Sequence, residues 1–234
     1  MQAFLLAAGL GTRLRPLTLT RPKALVEVRG KTLLETNIER LAEAGAKRIV
    51  VNVHHFADMM KGYIASREWP TEVLVSDEAE KLLDTGGGLK HAQSLFMASE
   101  PILVYNVDVL SRFSLEGMLL RHKEERAMAT LAVSRRETQR YLLFCNNRLV
   151  GWCNKKSGEK LCIGEVCLHP YELAFSGIAI VEPRLLELLP PSSEPYPIIP
   201  EYLRLAKCEH IEAYVHSASD WLDVGKPETL RLIK

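Results

Sequence analysis

No stretch of this 234-residue chain is both apolar enough and long enough to cross a bilayer. Charge of one sign is also missing: 30 Lys and Arg stand against 29 Asp and Glu, a net charge of +1. That balance excludes a global electrostatic pull toward nucleic acid or an anionic membrane surface. The five cysteines include no Cys-x-x-Cys pair, so their spacing argues against zinc. They read instead as buried or half-buried thiols in a reducing cytosol. There is no internal repeat and no low-complexity tail. The apolar start, MQAFLLAAGLGTRL, has no basic segment before it and is interrupted by Gly9, Gly11 and Arg13. A buried strand entering a turn fits it better than a secretory leader.

What is present is ordinary globular material, 47% hydrophobic and 25% charged. A chain of this size buries roughly 70–75% of its unfolded surface and needs no disulfide staple. Its first half alternates strands with helices. Apolar runs at 4–8, 48–53, 72–76 and 101–107 are strands. Thr32 and Glu35 form a capping box for a helix over 32–44, and Gly45 stops it. A second helix runs from Ala57 to about Ser66, and the triple glycine at 86–88 is a turn opening a third, to about Met97. This βαβαβ rhythm predicts a parallel sheet with helices on both faces.

The second half is less regular. Strands are expected at 128–134, 141–145, 148–153, 173–181 and 210–215, a loop at 154–160, a short helix from Pro183 and a last one from about Pro227. Pro190 to Pro200 holds five prolines and reads as a surface loop. The expected organisation is one domain over 1–234, with a nucleotide-binding half to about 110 and an acceptor half after it.

The most informative segment follows the first strand. Gly9-Leu10-Gly11-Thr12-Arg13 turns sharply and offers backbone amides, which bind anions well because no side chain stands in the way. A dinucleotide fingerprint fails, since position 14 is Leu and no acidic residue follows RIVVNV. A Walker loop fails too, because no Gly-Lys-Ser/Thr follows. Arg13, Arg15 and Lys23 do follow, and cations after a glycine turn suit a triphosphate whose charge grows on leaving pyrophosphate.

LAAGLGTRLRPLT followed by PKALVEV resembles the signature of the sugar-phosphate nucleotidyltransferases, and the resemblance extends over nearly the whole chain. It implies a three-layer, Rossmann-like, glycosyltransferase-A-type α/β fold with a mixed sheet. It also implies an enzyme joining a nucleoside triphosphate to a sugar 1-phosphate, with Mg2+ as cofactor and release of pyrophosphate. Leu6, Ala7, Ala8, Gly9, Gly11 and Thr12 would wrap the nucleotide phosphates. Arg13 would stabilise the pyrophosphate, and Lys23 would contact the phosphates at the reacting phosphorus.

Two carboxylates are implied as metal ligands. Asp108 ends the strand ILVYNV, where the family usually has Gly-Asp and this chain has Val107-Asp108, adding bulk beside the metal. Asp223 lies in Trp221-Leu222-Asp223-Val224-Gly225, similar to the family's closing Trp-x-Asp-x-Gly. Asp84, Thr85 and Gly87 match a segment that lies against the nucleobase, with Asp84 in place of its first glycine. That version is similar to N-acetylmuramate-1-phosphate uridylyltransferases. Asn52 is placed to read the base or to bond its own backbone.

Asn106, Lys155, Ser176 and Gly177 match the sugar-phosphate side. The expected acceptor is an N-acetylated or uronic-type hexose 1-phosphate with UTP, in a cytoplasmic monomer or homodimer serving cell-envelope synthesis. The chain is expected to end after the catalytic domain, without the β-helix of larger relatives. A catalytically silent sugar-nucleotide-binding subunit and a phosphocholine cytidylyltransferase are the alternatives.

Overall fold

The structure is a computed structural model and describes residues 1–163 and 167–233. Its strands are β1 (Gln2–Leu6), β2 (Glu27–Val28), β3 (Lys31–Thr32), β4 (Arg48–Val53), β5 (Glu72–Asp77), β6 (Ile102–Asn106), β7 (Val109–Ser111), β8 (Ala129–Ser134), β9 (Arg140–Cys145), β10 (Arg148–Asn154), β11 (Lys160–Cys162), β12 (Tyr171–Val181), β13 (Ile211–Val215) and β14 (Trp221–Asp223). Its helices are α1 (Leu33–Glu43), α2 (Ala57–Ala65), α3 (Asp84–His91), α4 (Leu115–Glu124), α5 (Pro183–Leu188), α6 (Ile198–Leu205) and α7 (Pro227–Ile233).

The capping box at Thr32 and Glu35 is present in both directions, and Gly45, at φ 84°, ends α1. Period-two alternation decides which helix layer each strand residue meets. Leu5, Ile49, Val51, Leu103 and Tyr105 pack with α1, α2 and α4 on one face. Phe4, Val50, Ile102 and Val104 pack with α3, α5 and α6 on the other. The sheet is thus covered on both sides. No helix among the described residues is long and apolar enough to cross a membrane.

One ten-stranded sheet runs β11-β10-β13-β8-β12-β6-β1-β4-β5, with β9 joining β10 and β12. The β6-β1-β4-β5 part is wholly parallel, so its C-terminal ends and the loops beyond them share one edge. From β12 onward the sheet is mixed: β12 runs antiparallel to β6 and β8, while β13 is parallel to β8. A separate antiparallel ribbon pairs β7 with β14, Asp223 opposite Val109.

Three expectations change. The triple glycine is not a turn before a helix but lies inside α3, which begins at Asp84 with φ 61°. Its close packing, described below, is what small residues permit. The proline-rich loop ends earlier than expected, because Pro197 precedes the first residue of α6, a tolerated helix entry. The cysteines are not all free thiols: Cys145 and Cys167 form a disulfide. Antiparallel pairing of Phe144 with Tyr171 draws those two segments together, and spacing along the chain carries no sign of that pairing.

Candidate active site

The chain leaves β1 at Leu6 and crosses the edge formed by the parallel strands. Asn52, at the end of β4, anchors this crossing. Its Oδ1 accepts from the amides of Ala7 at 2.7 Å and Ala8 at 3.2 Å. Its Nδ2 donates to Oε1 of Glu78 at 2.7 Å, and Oε2 of Glu78 accepts from the Leu83 amide at 3.1 Å. Burial pushes the Glu78 carboxyl up, against the lowering effect of these hydrogen bonds. Asn52 therefore holds the loop that leaves β1, bonding the backbone of a distant segment where a bond to its own backbone was one of the two expected roles.

Beyond this anchor, Gly9 and Leu10 are exposed. Among the described residues no acceptor engages the amides of Gly9, Leu10 or Gly11. Gly11 sits at φ 63°, and a Cβ there would stand 2.9 Å from Cγ2 of Thr18 and 3.1 Å from Cβ of Lys23. Both the backbone angle and the space demand glycine. Thr18 Oγ1 donates to the Gly11 carbonyl at 2.8 Å, and Thr12 lies exposed beside the turn. The result is a turn whose Gly9, Leu10 and Gly11 amides have no acceptor among the described residues, suited to phosphate oxygens.

Four side chains from distant parts of the chain converge next to it. Lys23 Nζ lies 2.9 Å from Oδ2 of Asp108. Arg13 reaches Oδ2 of Asp108 at 3.4 Å through Nη2 and Oδ2 of Asp223 at 3.3 Å through Nη1. The β7–β14 ribbon brings the carboxylates together, helped by the Val224 amide donating to the Asp108 carbonyl at 2.9 Å. Gly225 donates to Oδ1 of Asp223 at 2.9 Å. A Cβ on Gly225 would meet both carboxylates and Arg13 within 2.9 Å. Two carboxylates facing one gap, with only oxygen donors, fit a hard divalent cation that keeps most of its waters and phosphate ligands. Val107 stands where extra bulk beside the metal was expected. It is fully buried in the core, where its carbonyl accepts from Nδ2 of Asn37 at 2.8 Å.

The Asp84–Gly88 segment is heavily engaged. The amides of Gly86 and Gly87 donate to the Tyr196 carbonyl at 2.9 and 3.2 Å, and Thr85 Oγ1 accepts from the Ile198 amide at 2.9 Å. A Cβ on Gly86 would strike the Tyr196 ring at 2.5 Å, and one on Gly88 would strike Oε1 of Glu78 at 2.6 Å. Asp84 caps its own neighbour, accepting from the Thr85 amide at 2.6 Å. These glycines therefore dock α3 against the 190s loop and the Asn52–Glu78 node.

In the mixed part of the sheet, β12 shifts register against β8 between Phe175 and Ala179, around Gly177 at φ 71°. A Cβ on Gly177 would lie 2.6 Å from Nδ2 of Asn106, so Asn106 and Gly177 face each other closely. Ser176 is buried, its hydroxyl 2.7 Å from Nε2 of His216. Lys155 is exposed and ion-paired with Glu172 on the β10–β12 side, and is not brought to the four-residue cluster. A cleft of about 820 Å³ opens past Arg136 between β9, β10, β11 and α6, with Tyr141, Trp152, Phe175 and Leu203 in its walls.

A model of the family described as "Nucleotidyl transferase" matches residues 2–142, the stretch that contains the turn, Lys23 and Asp108. The chain belongs to that family. It is 49% identical over 109 residues to the N-acetylmuramate alpha-1-phosphate uridylyltransferase of Caulobacter vibrioides, an alignment covering 45% of each. It is 30% identical over 238 residues to the mannose-1-phosphate guanylyltransferase catalytic subunit beta of Drosophila pseudoobscura pseudoobscura, covering 97% of this chain and 60% of that protein. The chain thus spans about half of the length of the curated relatives it matches. Among solved structures, a UDP-glucose pyrophosphorylase from Acinetobacter baumanii superposes with a TM-score of 0.80 at 19% identity, over 99% of this chain and 91% of that one. The likeness at that identity establishes the mixed-sheet fold.

Two residues of this family member were not singled out from its sequence. Glu78 lies in an ordinary charged stretch after β5, with nothing to mark it as buried. Arg136 sits in the run Arg135-Arg136-Glu137, which reads as a solvated face, although its guanidinium is turned inward.

Proposed function

We propose that this chain joins the nucleotidyl part of a nucleoside triphosphate to a sugar 1-phosphate, with release of pyrophosphate and with Mg2+ as cofactor. The observation that carries the proposal is the convergence of Arg13, Lys23, Asp108 and Asp223 beside the Gly9–Gly11 turn, whose amides have no acceptor among the described residues. A phosphate oxygen of the acceptor attacks the α-phosphorus, and the bond to the β-phosphate oxygen breaks with its electron pair leaving on pyrophosphate. The turn amides bind the triphosphate. Lys23 contacts the phosphates at the reacting centre, and Arg13 offsets charge on the leaving group. Asp108 and Asp223 would hold Mg2+, whose charge offsets that of the phosphates when bound. No general base is required, because a sugar phosphate is already ionised near neutral pH.

In this reading the parallel half to about residue 110 takes the nucleotide and the mixed half takes the acceptor. UTP with an N-acetylhexosamine-type 1-phosphate is the favoured pair, supported by the 49% identity to the uridylyltransferase over 109 residues. The setting is the cytoplasm, where nucleoside triphosphates are made. The test is pyrophosphate release by purified protein with four nucleoside triphosphates, a panel of sugar 1-phosphates and phosphocholine, with and without Mg2+. Release that needs Mg2+ and one sugar pair supports the proposal. Nucleotide binding without release from any pair overturns it in favour of a binding subunit.

A further inference from the structure

Arg136 follows β8 and turns its guanidinium into the sheet, where one planar group meets five others. Nη1 donates to Ser134 Oγ at 2.8 Å, to the Ala174 carbonyl at 3.0 Å and to Ser176 Oγ at 3.2 Å. Nη2 donates to the Phe175 carbonyl at 2.6 Å. The guanidinium also covers the Trp221 ring, 3.9 Å from its centroid. Trp221 in turn donates from Nε1 to the Ser176 carbonyl at 2.7 Å. These contacts tie three separate parts of the fold. The first is the end of β8, the second is the irregular part of β12 facing Asn106, and the third is β14, which carries Asp223 two residues after Trp221.

Burial opposes the charge of Arg136, lowering its affinity for the proton, with Asp223 acting the other way. A charge this enclosed is kept when its donors are well used. Simple bracing of β12 would need only some of these bonds. The stacking on Trp221 extends the bracing to the arm that bears a metal carboxylate. Arg136 also lines the large acceptor-side cleft, so one side of the same group is open to a ligand there.

Resting on the proposed reaction, we infer that Arg136 is a positioning residue that locks the acceptor-facing bend of β12 to the β14 arm holding Asp223. Acceptor placement and the metal carboxylate are thereby set by one guanidinium. A lysine cannot reproduce the lock, because its single ammonium lacks both the planar fork and the stacking face.

The test compares wild type with Arg136→Lys and with Trp221→Phe, which keeps a ring but removes the Nε1 donor. Two readouts are taken on the same preparations. In pyrophosphate release, Arg136→Lys is expected to raise the acceptor KM and the Mg2+ concentration for half-activity by about tenfold or more, with the nucleotide KM within about twofold. Trp221→Phe is expected to shift the same two quantities by less, and the double variant to fall short of the product of the single effects. In amide hydrogen exchange, 174–178 and 221–225 should exchange faster in Arg136→Lys, while Gln2–Leu6 and Arg48–Val53 stay protected. Equal rises in both KM values, or unchanged exchange at 221–225, overturn the inference. Absence of release from wild type would overturn the proposed reaction, and the exchange readout would still decide whether the lock exists.

Discussion

Oδ2 of Asp108 lies so close to Gly225 that a Cβ on that glycine would stand 2.5 Å from it. Position 225 must therefore carry no side chain if Asp108 and Asp223 are to face one gap. Gly225→Ala is expected to lower Mg2+-dependent pyrophosphate release by about ten- to hundredfold and to raise the Mg2+ requirement. Its thermal midpoint should change little, since the ribbon pairing is untouched. An unchanged Mg2+ dependence would remove this carboxylate pair from the metal.

Asn52 connects the first loop to Glu78 through both ends of its amide. Asn52→Ala leaves the Ala7 and Ala8 amides and a buried carboxylate without their partner. The expected loss is about 1–3 kcal/mol of stability, measurable by urea unfolding. A higher nucleotide KM should accompany it, because the same amides shape the phosphate turn. Stability equal to wild type would show that the loop is held by something else.

The buried imidazole of His216 provides a pH test. The Ser217 carbonyl can only accept, so Nδ1 carries the proton and Nε2 accepts from Ser176. Burial pulls His216 below the ordinary imidazole range, and burial does the same to His122. The native state then holds fewer protons than the unfolded chain between the depressed and the ordinary values. Stability from these groups is complete above the ordinary imidazole pKa and is lost as pH falls below it through the depressed values. Urea midpoints should drop over that interval, and His216→Gln should flatten part of the drop, leaving the share of His122. An identical slope in the variant would exclude His216 as a contributor.

The disulfide can be counted directly. Alkylation of the unfolded, unreduced protein should label Cys153, Cys162 and Cys208 and spare Cys145 and Cys167. Reduction should expose the remaining pair and cost about 2–4 kcal/mol of stability. Labelling of all five without reductant would restore the expectation of free thiols.

Much of the parallel half was legible in the chain. Alternating apolar strands, the capping box at Thr32 and the stop at Gly45 place α1 and the parallel strands with few alternatives. The turn at Gly9–Gly11 announced itself because two glycines end an apolar strand, and at Gly11 positive φ and close approach both demand glycine. The triple glycine misled for a related reason. Glycine also permits tight packing inside a helix, and only the ring of Tyr196 and the carboxylate of Glu78 reveal that use. Glu78 and Arg136 were illegible because a charged residue in a charged stretch gives no sign of being turned inward.

α4, α6 and the β7–β14 ribbon were not read from the chain, and the family resemblance supplied the metal carboxylates. By itself the sequence determined the order of β1, α1, β4, α2, β5 and β6 and the two-sided burial of the parallel strands. Those follow from local periodicity, turn chemistry and residue type, which act over a few positions. Only the tertiary structure decided that Asp108 and Asp223 share one gap, that Asn52 serves the loop and that Cys145 meets Cys167. It also decided that Lys155 stays with Glu172. Each of these depends on pairing between segments far apart in the chain: β7 with β14, β4 beside β1, and β12 with β9. Such pairings are selected by the packing of the whole sheet, and no short stretch of residues encodes them.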